Sequence, residues 1–133
     1  GGGRSEPGEA ALDSAAYAAH MAALRGAHII KVKPPTDVLE QPEATKVYEQ
    51  VNLPRAELAE RIRHIMQASF AGRRIVVFSG GAAKDRSGLL EEIRGLRDGG
   101  ANGSIIGRNT FQRPRDEALD LLSEIIGIYK SAS

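Results

Sequence analysis

The stretch His28-Ile29-Ile30-Lys31-Val32-Lys33-Pro34-Pro35, residues 28–35, decides how the whole chain reads. Ile29, Ile30 and Val32 give it strand character, and the two prolines end it because they cannot donate to a ladder. A strand is therefore predicted at about His28–Lys33. Side chains alternate along a strand, so Ile29, Lys31 and Lys33 share one face while Ile30 and Val32 share the other. Two similar runs follow downstream, RRIVVFSGG at residues 73–81 and NGSIIGRN at residues 102–109. They predict strands at Arg74–Ser79 and at about Gly103–Ile106.

Helical patterns fill the intervals. An alanine-rich helix is expected from about Glu9 to Arg25, with Gly26 as its stop and Ala15, Ala16, Ala19, Ala22 and Ala23 suited to close packing on a sheet. A second helix is predicted from Pro54 to about Phe70, its apolar face formed by Leu58, Ile62, Ile65, Met66 and Phe70. A third spans Arg86–Asp98 with Leu89, Leu90, Ile93 and Leu96 inward, ended by Gly99-Gly100. The last runs from Pro114 to about Tyr129 on a stripe of Leu121, Leu122, Ile125 and Ile126. Strands alternating with helices predict parallel pairing, with the C-terminal ends of all three strands on one rim. Between Pro34 and Asn52 lies a long excursion, with a short helix from Pro42 to about Gln50. A connection of that length often carries function, although a cover over the rim or an oligomer contact accounts for it equally well.

Composition narrows the function. The chain has 133 residues, enough for one core but few beside the roughly 250 typical of a complete β/α barrel. Lys plus Arg is 18 against 17 for Asp plus Glu, so no basic surplus argues for nucleic acid. No apolar run suggests a membrane span. Cysteine is absent, which excludes disulfides and thiolate metal sites and is compatible with an intracellular location. Residues 1–8 read as a flexible segment ahead of a single domain at 9–133, and the opening Gly1-Gly2-Gly3 suggests a piece of a longer protein.

The chemistry-bearing residues gather on the predicted rim. A lysine among Ile29, Ile30 and Val32 is expected to be poorly solvated, which lowers an ammonium pKa and favours the neutral, nucleophilic amine. Lys31 and Lys33 are both expected to point into the barrel; reaching outward into water is the alternative. Ser79-Gly80-Gly81 and Gly107-Arg108-Asn109 would let backbone N–H groups approach a phosphate, or else serve tight strand-to-helix turns. His20, His28 and His64 lack metal-ligand spacing and are assigned surface or packing roles. Arg113-Pro114-Arg115-Asp116-Glu117 reads as a solvated helix start. Ser79 has no neighbouring histidine to activate it. A Schiff-base enzyme acting on a phosphorylated carbonyl compound follows from these residues.

AHIIKVK, RRIVVFSGG and NGSIIGRNTFQRPRDEAL, in this order, closely resemble the C-terminal half of bacterial and archaeal-type class I fructose-bisphosphate aldolases. The resemblance implies a partial (β/α)8 barrel: three parallel βα units matching strands six to eight, plus a preceding helix. It implies that Lys31 forms the Schiff base with dihydroxyacetone phosphate, and that Ser79, Gly80, Gly81, Gly107 and Arg108 bind the substrate phosphate. It further implies fructose 1,6-bisphosphate cleavage in glycolysis or gluconeogenesis by a cytoplasmic homo-oligomer, with no metal, cofactor, nucleic acid or membrane. The family's first five strands have no counterpart here. With them go an aspartate and the proton-donating tyrosine, which neither Tyr17 nor Tyr48 matches.

Overall fold

The computed structural model describes Gly8 and residues 10–52, 56–79 and 84–131. Along the chain run α1 (Leu12–Leu24), β1 (Ile29–Val32), α2 (Pro42–Gln50), α3 (Leu58–Ala68) and β2 (Ile75–Ser79). Then come α4 (Arg86–Asp98), β3 (Gly103–Ile105), α5 (Arg108–Phe111) and α6 (Arg115–Lys130). The strands form one parallel sheet in the order β1-β2-β3, as the alternation of strand and helix predicts. Ile30 pairs with Val76 and Val32 with Phe78, while Ser79 lies opposite Ile105. Asn102 extends the β2–β3 ladder: its side-chain Oδ1 accepts from Val76 N–H at 2.8 Å, and its own N–H donates to Val76 O at 3.0 Å.

Among the described residues, the helical packing lies on one side of this sheet. Ile30, Val76 and Phe78 are buried and share a core with Ala15, Ala16, Ala19 and Ala23 of α1 and with Ile62, Ile65 and Met66 of α3. Leu89, Leu90, Ile93 and Leu96 of α4 are buried as predicted. The stripe on α6 is narrower than its sequence suggests. Leu121 and Ile125 are buried, whereas Leu122 and Ile126 look outward from the flank beside β3, where no further strand lies among the described residues.

The turns explain several boundaries. Gly26 at φ +88° and Gly100 at φ +92° supply the left-handed residues that turn helices α1 and α4 toward their strands. Helix α3 begins at Leu58, later than the Pro54 start expected from sequence; residues 53–55 lie outside the described segment, while Ala56 and Glu57 are not helical. Glu57 instead stands at the N-cap, and its N–H points to Glu60 Oε2 at 3.5 Å. The GRNTF segment is itself a short helix, α5, rather than a simple turn. Of the opening segment expected to be flexible, Gly8 is described and buried; residues 1–7 lie outside the described residues.

The excursion from Pro34 to Asn52 is tied down at its start. Thr36 N–H donates to Ala10 O, and Leu12 N–H donates to Val38 O, both at 2.8 Å. Arg61 Nε holds Pro35 O at 3.0 Å from α3.

Candidate active site

Lys31 sits near the C-terminal end of β1, on the sheet face opposite the helices. Alternation does place it with Ile29 and away from Ile30. The expected poor solvation is not found: Lys31 is exposed, and Ile29 beside it is 64% exposed. The physical reason is that the described residues cover only one side of the sheet. Its apolar sequence neighbours Ile30 and Val32 point into the helices rather than around the amine. Lys33, past the end of the strand, is exposed too.

A groove of about 380 Å³ runs beside β1, and Lys31 and Lys33 line it together with Ser14, Tyr17 and alanines of α1. Of the residues expected to bind phosphate, Ser79, Gly107 and Arg108 do not line this groove. Ser79 ends β2, and its register partner Ile105 precedes Gly107 by two residues, so both turns leave the sheet at the same C-terminal rim as Lys31. Gly80 and Gly81 lie outside the described residues. Gly107 precedes α5, with its carbonyl accepting from Thr110 N–H at 2.8 Å and Phe111 N–H at 3.0 Å. Arg108 is exposed.

Two rim residues to which the sequence reading gave no such role, Asn109 and Arg113, tie the segment after β3 to Lys84. Asn109 is buried, and its Oδ1 accepts from Lys84 N–H at 2.8 Å. Arg113 donates from Nε to Asn109 O at 2.8 Å and from a terminal nitrogen to Lys84 O at 2.9 Å. The loop after β3 thus clamps the C-terminal end of the loop after β2. Arg113 is a half-buried tie here, not part of a solvated helix start. An asparagine directly after Gly-Arg in a strand-to-helix turn is the signal that could have found it, because such a side chain readily satisfies a neighbouring backbone group.

Asp13 was missed for a different reason. One acid in the first turn of an alanine-rich helix looks like a partner for the helix dipole. In the fold it does something else. Asp13 is buried, and its two oxygens accept Glu40 N–H at 3.0 Å and Gln41 N–H at 2.8 Å. It therefore holds the excursion immediately before α2. The other end of α2 is held by Tyr48, whose hydroxyl lies 2.6 Å from His64 Nε2 on α3. Burial holds the His64 imidazole below its usual range. Burial first, and the Asp13 charge second, raise the Tyr48 phenol. His20 meets its packing expectation, with Nδ1 at 2.8 Å from Ala68 O and its ring edge-on to Phe70.

Among the described residues no group of three His, Asp or Glu side chains could hold a metal ion, and no helix is long and apolar enough to cross a membrane. Among the described residues, the rim offers an accessible primary amine, with Ser79 and Gly107 leaving the sheet at the same end.

Residues 3–113 match the model of the DeoC/LacD family aldolases. Two curated relatives, class 1 fructose-bisphosphate aldolases from two strains of Halobacterium salinarum, are 33% identical over 124 residues. That alignment takes in 91% of this chain and 37% of theirs, so the chain spans little more than a third of their length. Among solved structures, an archaeal fructose 1,6-bisphosphate aldolase superposes with a TM-score of 0.66 at 25% identity, over 96% of this chain and 41% of that one. A fructose-bisphosphate aldolase from Slackia heliotrinireducens has the same fold at a TM-score of 0.63 and 24% identity, over 94% of this chain and 38% of that one. With the α/β fold and the family match in agreement, the chain belongs to the DeoC/LacD aldolase family and is homologous to archaeal class I fructose-bisphosphate aldolase.

Proposed function

We propose that this chain supplies the Schiff-base lysine and the phosphate-binding turns of a class I fructose-bisphosphate aldolase, as the C-terminal part of a (β/α)8 barrel. The observation that carries the reading is Lys31 itself: in a family of aldolases, a lysine stands near the C-terminal end of a parallel strand, on the face free of helices. Residues 9–133 would then form three consecutive βα units with the helix ahead of them.

In this reading the Lys31 amine attacks the ketone carbon of fructose 1,6-bisphosphate. Loss of water leaves an iminium, which takes up the electron pair as the C3–C4 bond breaks. Glyceraldehyde 3-phosphate departs, a proton is added to the resulting enamine, and water releases dihydroxyacetone phosphate from the regenerated amine. Ser79, Gly80, Gly81, Gly107 and Arg108 would fix the phosphate next to the reacting ketone; Asn109 and Arg113 would hold their loops in register. Closing the barrel would also surround Lys31 and supply the desolvation that activates an amine. The working protein in this reading is a cytoplasmic homo-oligomer.

Trapping tests the assignment. Incubation with dihydroxyacetone phosphate and borohydride is expected to add a reduced adduct to the peptide containing Lys31, and Lys31→Ala is expected to abolish it. An adduct at Lys33, with Lys31→Ala still trapping normally, would refute it. One observation favours a second reading, phosphate binding without turnover: Lys31 is exposed on an uncovered face. Phosphate binding without any trapped adduct would select that reading.

A further inference from the structure

The charges of this chain are sorted along its length. Residues 14–36 and 61–84 contain no Asp or Glu, whereas residues 37–60 contain six acids against Lys46 and Arg55. The parallel topology turns that sorting into two faces. Helices α1 and α3 both run toward the N-terminal end of the sheet, so the turns after them lie there side by side, and Ile75 N–H donates to His28 O between them at 3.0 Å. Arg25 and Arg73 are exposed at this end, with no ion-pair partner among the described residues. Arg74 lies over the Phe70 ring at 5.3 Å, and its buried Nε has no hydrogen-bond partner. The acid that α4 brings to the same end, Asp98, is held by Arg97 at 2.7 Å. Leu24, 58% exposed beside Arg25, adds an apolar contact point.

The acidic face is α2, toward the other end of the sheet, where Asp13 in the first turn of α1 anchors the segment ahead of it. No residue of α2 is buried. Glu43 and Glu49 are exposed, again with no ion-pair partner among the described residues, and Lys46 is the single cation of the helix. Val47 and Val51 beside them are 54% and 62% exposed.

We propose that the arginine-bearing end of one copy of this chain docks on α2 of a second copy, head to tail. Charge complementarity identifies the occupant. Each face combines exposed apolar side chains with unpaired charges of one sign, and the two signs are opposite. A twofold contact of either face with itself would set like charges against each other. The contact is therefore heterologous, and it builds a ring where its rotation closes and a row of copies where it does not. This deepens the homo-oligomer reading above by assigning its two faces, and it uses neither Lys31 nor the phosphate-binding turns.

Sedimentation of the purified chain tests it. At about 20 mM salt the mass is expected to exceed that of the monomer, and to fall toward it at about 500 mM as the charges are screened. Arg25→Glu with Arg73→Glu makes both faces acidic, and Glu43→Lys with Glu49→Lys makes both basic. Each double variant is expected to weaken association by about tenfold or more. Their thermal melts are expected to match the parent's, because all four side chains are exposed and unpaired. Arg73→Gln and Glu49→Gln, which remove a charge without reversing it, are expected to weaken association by a smaller factor in the same direction. Mixed in equal amounts, the two double variants present opposite charges to each other and are expected to recover the parent's mass. A monomeric parent at low salt overturns the proposal, as do association indifferent to both double variants and a mixture that stays monomeric. Trapping is read separately, and Lys31→Ala is expected to associate like the parent. An adduct at Lys31 in a chain that does not associate refutes the docking alone. Salt-sensitive association recovered in the mixture, with no adduct, refutes the lysine chemistry alone.

Discussion

Replacing Asp13 with alanine should release the segment that follows Lys33. The buried carboxylate accepts two backbone N–H bonds, from Glu40 at 3.0 Å and Gln41 at 2.8 Å. Hydrogen bonds to a charged group contribute about 1.5–3 kcal/mol each. Both amides belong to a segment at the protein surface, and water can take over part of what they lose. The lower end of the range therefore applies, giving about 3 kcal/mol for the pair. Asp13→Asn keeps one acceptor oxygen and should lose about half of that. Against a total stability of about 5–15 kcal/mol, the alanine variant is a large perturbation. Urea denaturation would give the size of the effect, and amide exchange would give its location. Glu40 and Gln41 should lose protection in Asp13→Ala well before the β2 amides do. A denaturation midpoint within error of the parent, with Glu40 and Gln41 still protected, would show that the excursion is held by something other than this carboxylate.

Other consequences are smaller in scope. A Cβ at residue 99 would stand 2.4 Å from Ile62 Cβ and 2.7 Å from Ala59 O, so Gly99→Ala must separate α3 from α4 and should cost about 1–3 kcal/mol by thermal melt. Asn109→Ala leaves Lys84 N–H without its side-chain acceptor, and should cost about 1–2 kcal/mol and loosen the loop after β2, read by exchange at Lys84. The lowered His64 pKa means that the unfolded chain binds the proton more readily. The stability attached to neutral His64 is therefore complete above about pH 6.5 and is lost as pH falls through the depressed native value. His64→Gln should remove that part of the pH dependence. A parent and variant with parallel stability curves between pH 7 and pH 4 would contradict it.

Strand order and helix order were legible because two periods do not overlap. Ile29, Ile30 and Val32 could alternate only as a strand, and Leu89, Leu90, Ile93 and Leu96 could share a face only as a helix. The solvation of Lys31 was not legible. Apolar neighbours in sequence say which side chains flank a residue, but alternation sends those same side chains to the opposite face, so Ile30 and Val32 cannot shield it. Leu122 and Ile126 misled for a related reason: periodicity marks a face that wants burial without saying whether its partner is present. Asp13 and Arg113 were illegible because each acts on backbone groups of a segment far along the chain, and no local pattern encodes that distance; Asn109 carried a local signal, its place directly after Gly107-Arg108, which does not name Lys84 as the partner.

Strand order along the sheet repeats strand order along the chain. Each new strand therefore pairs with the one completed just before it, and the helix between them supplies its own cover. Growth of this kind needs no earlier pairing to be undone. A chain emerging N-terminus first could fix β1 against β2 while β3 is still being synthesised. The same geometry makes lengthening by duplication mechanically simple: another strand-and-helix unit can join an open edge without cutting a single ladder bond already formed.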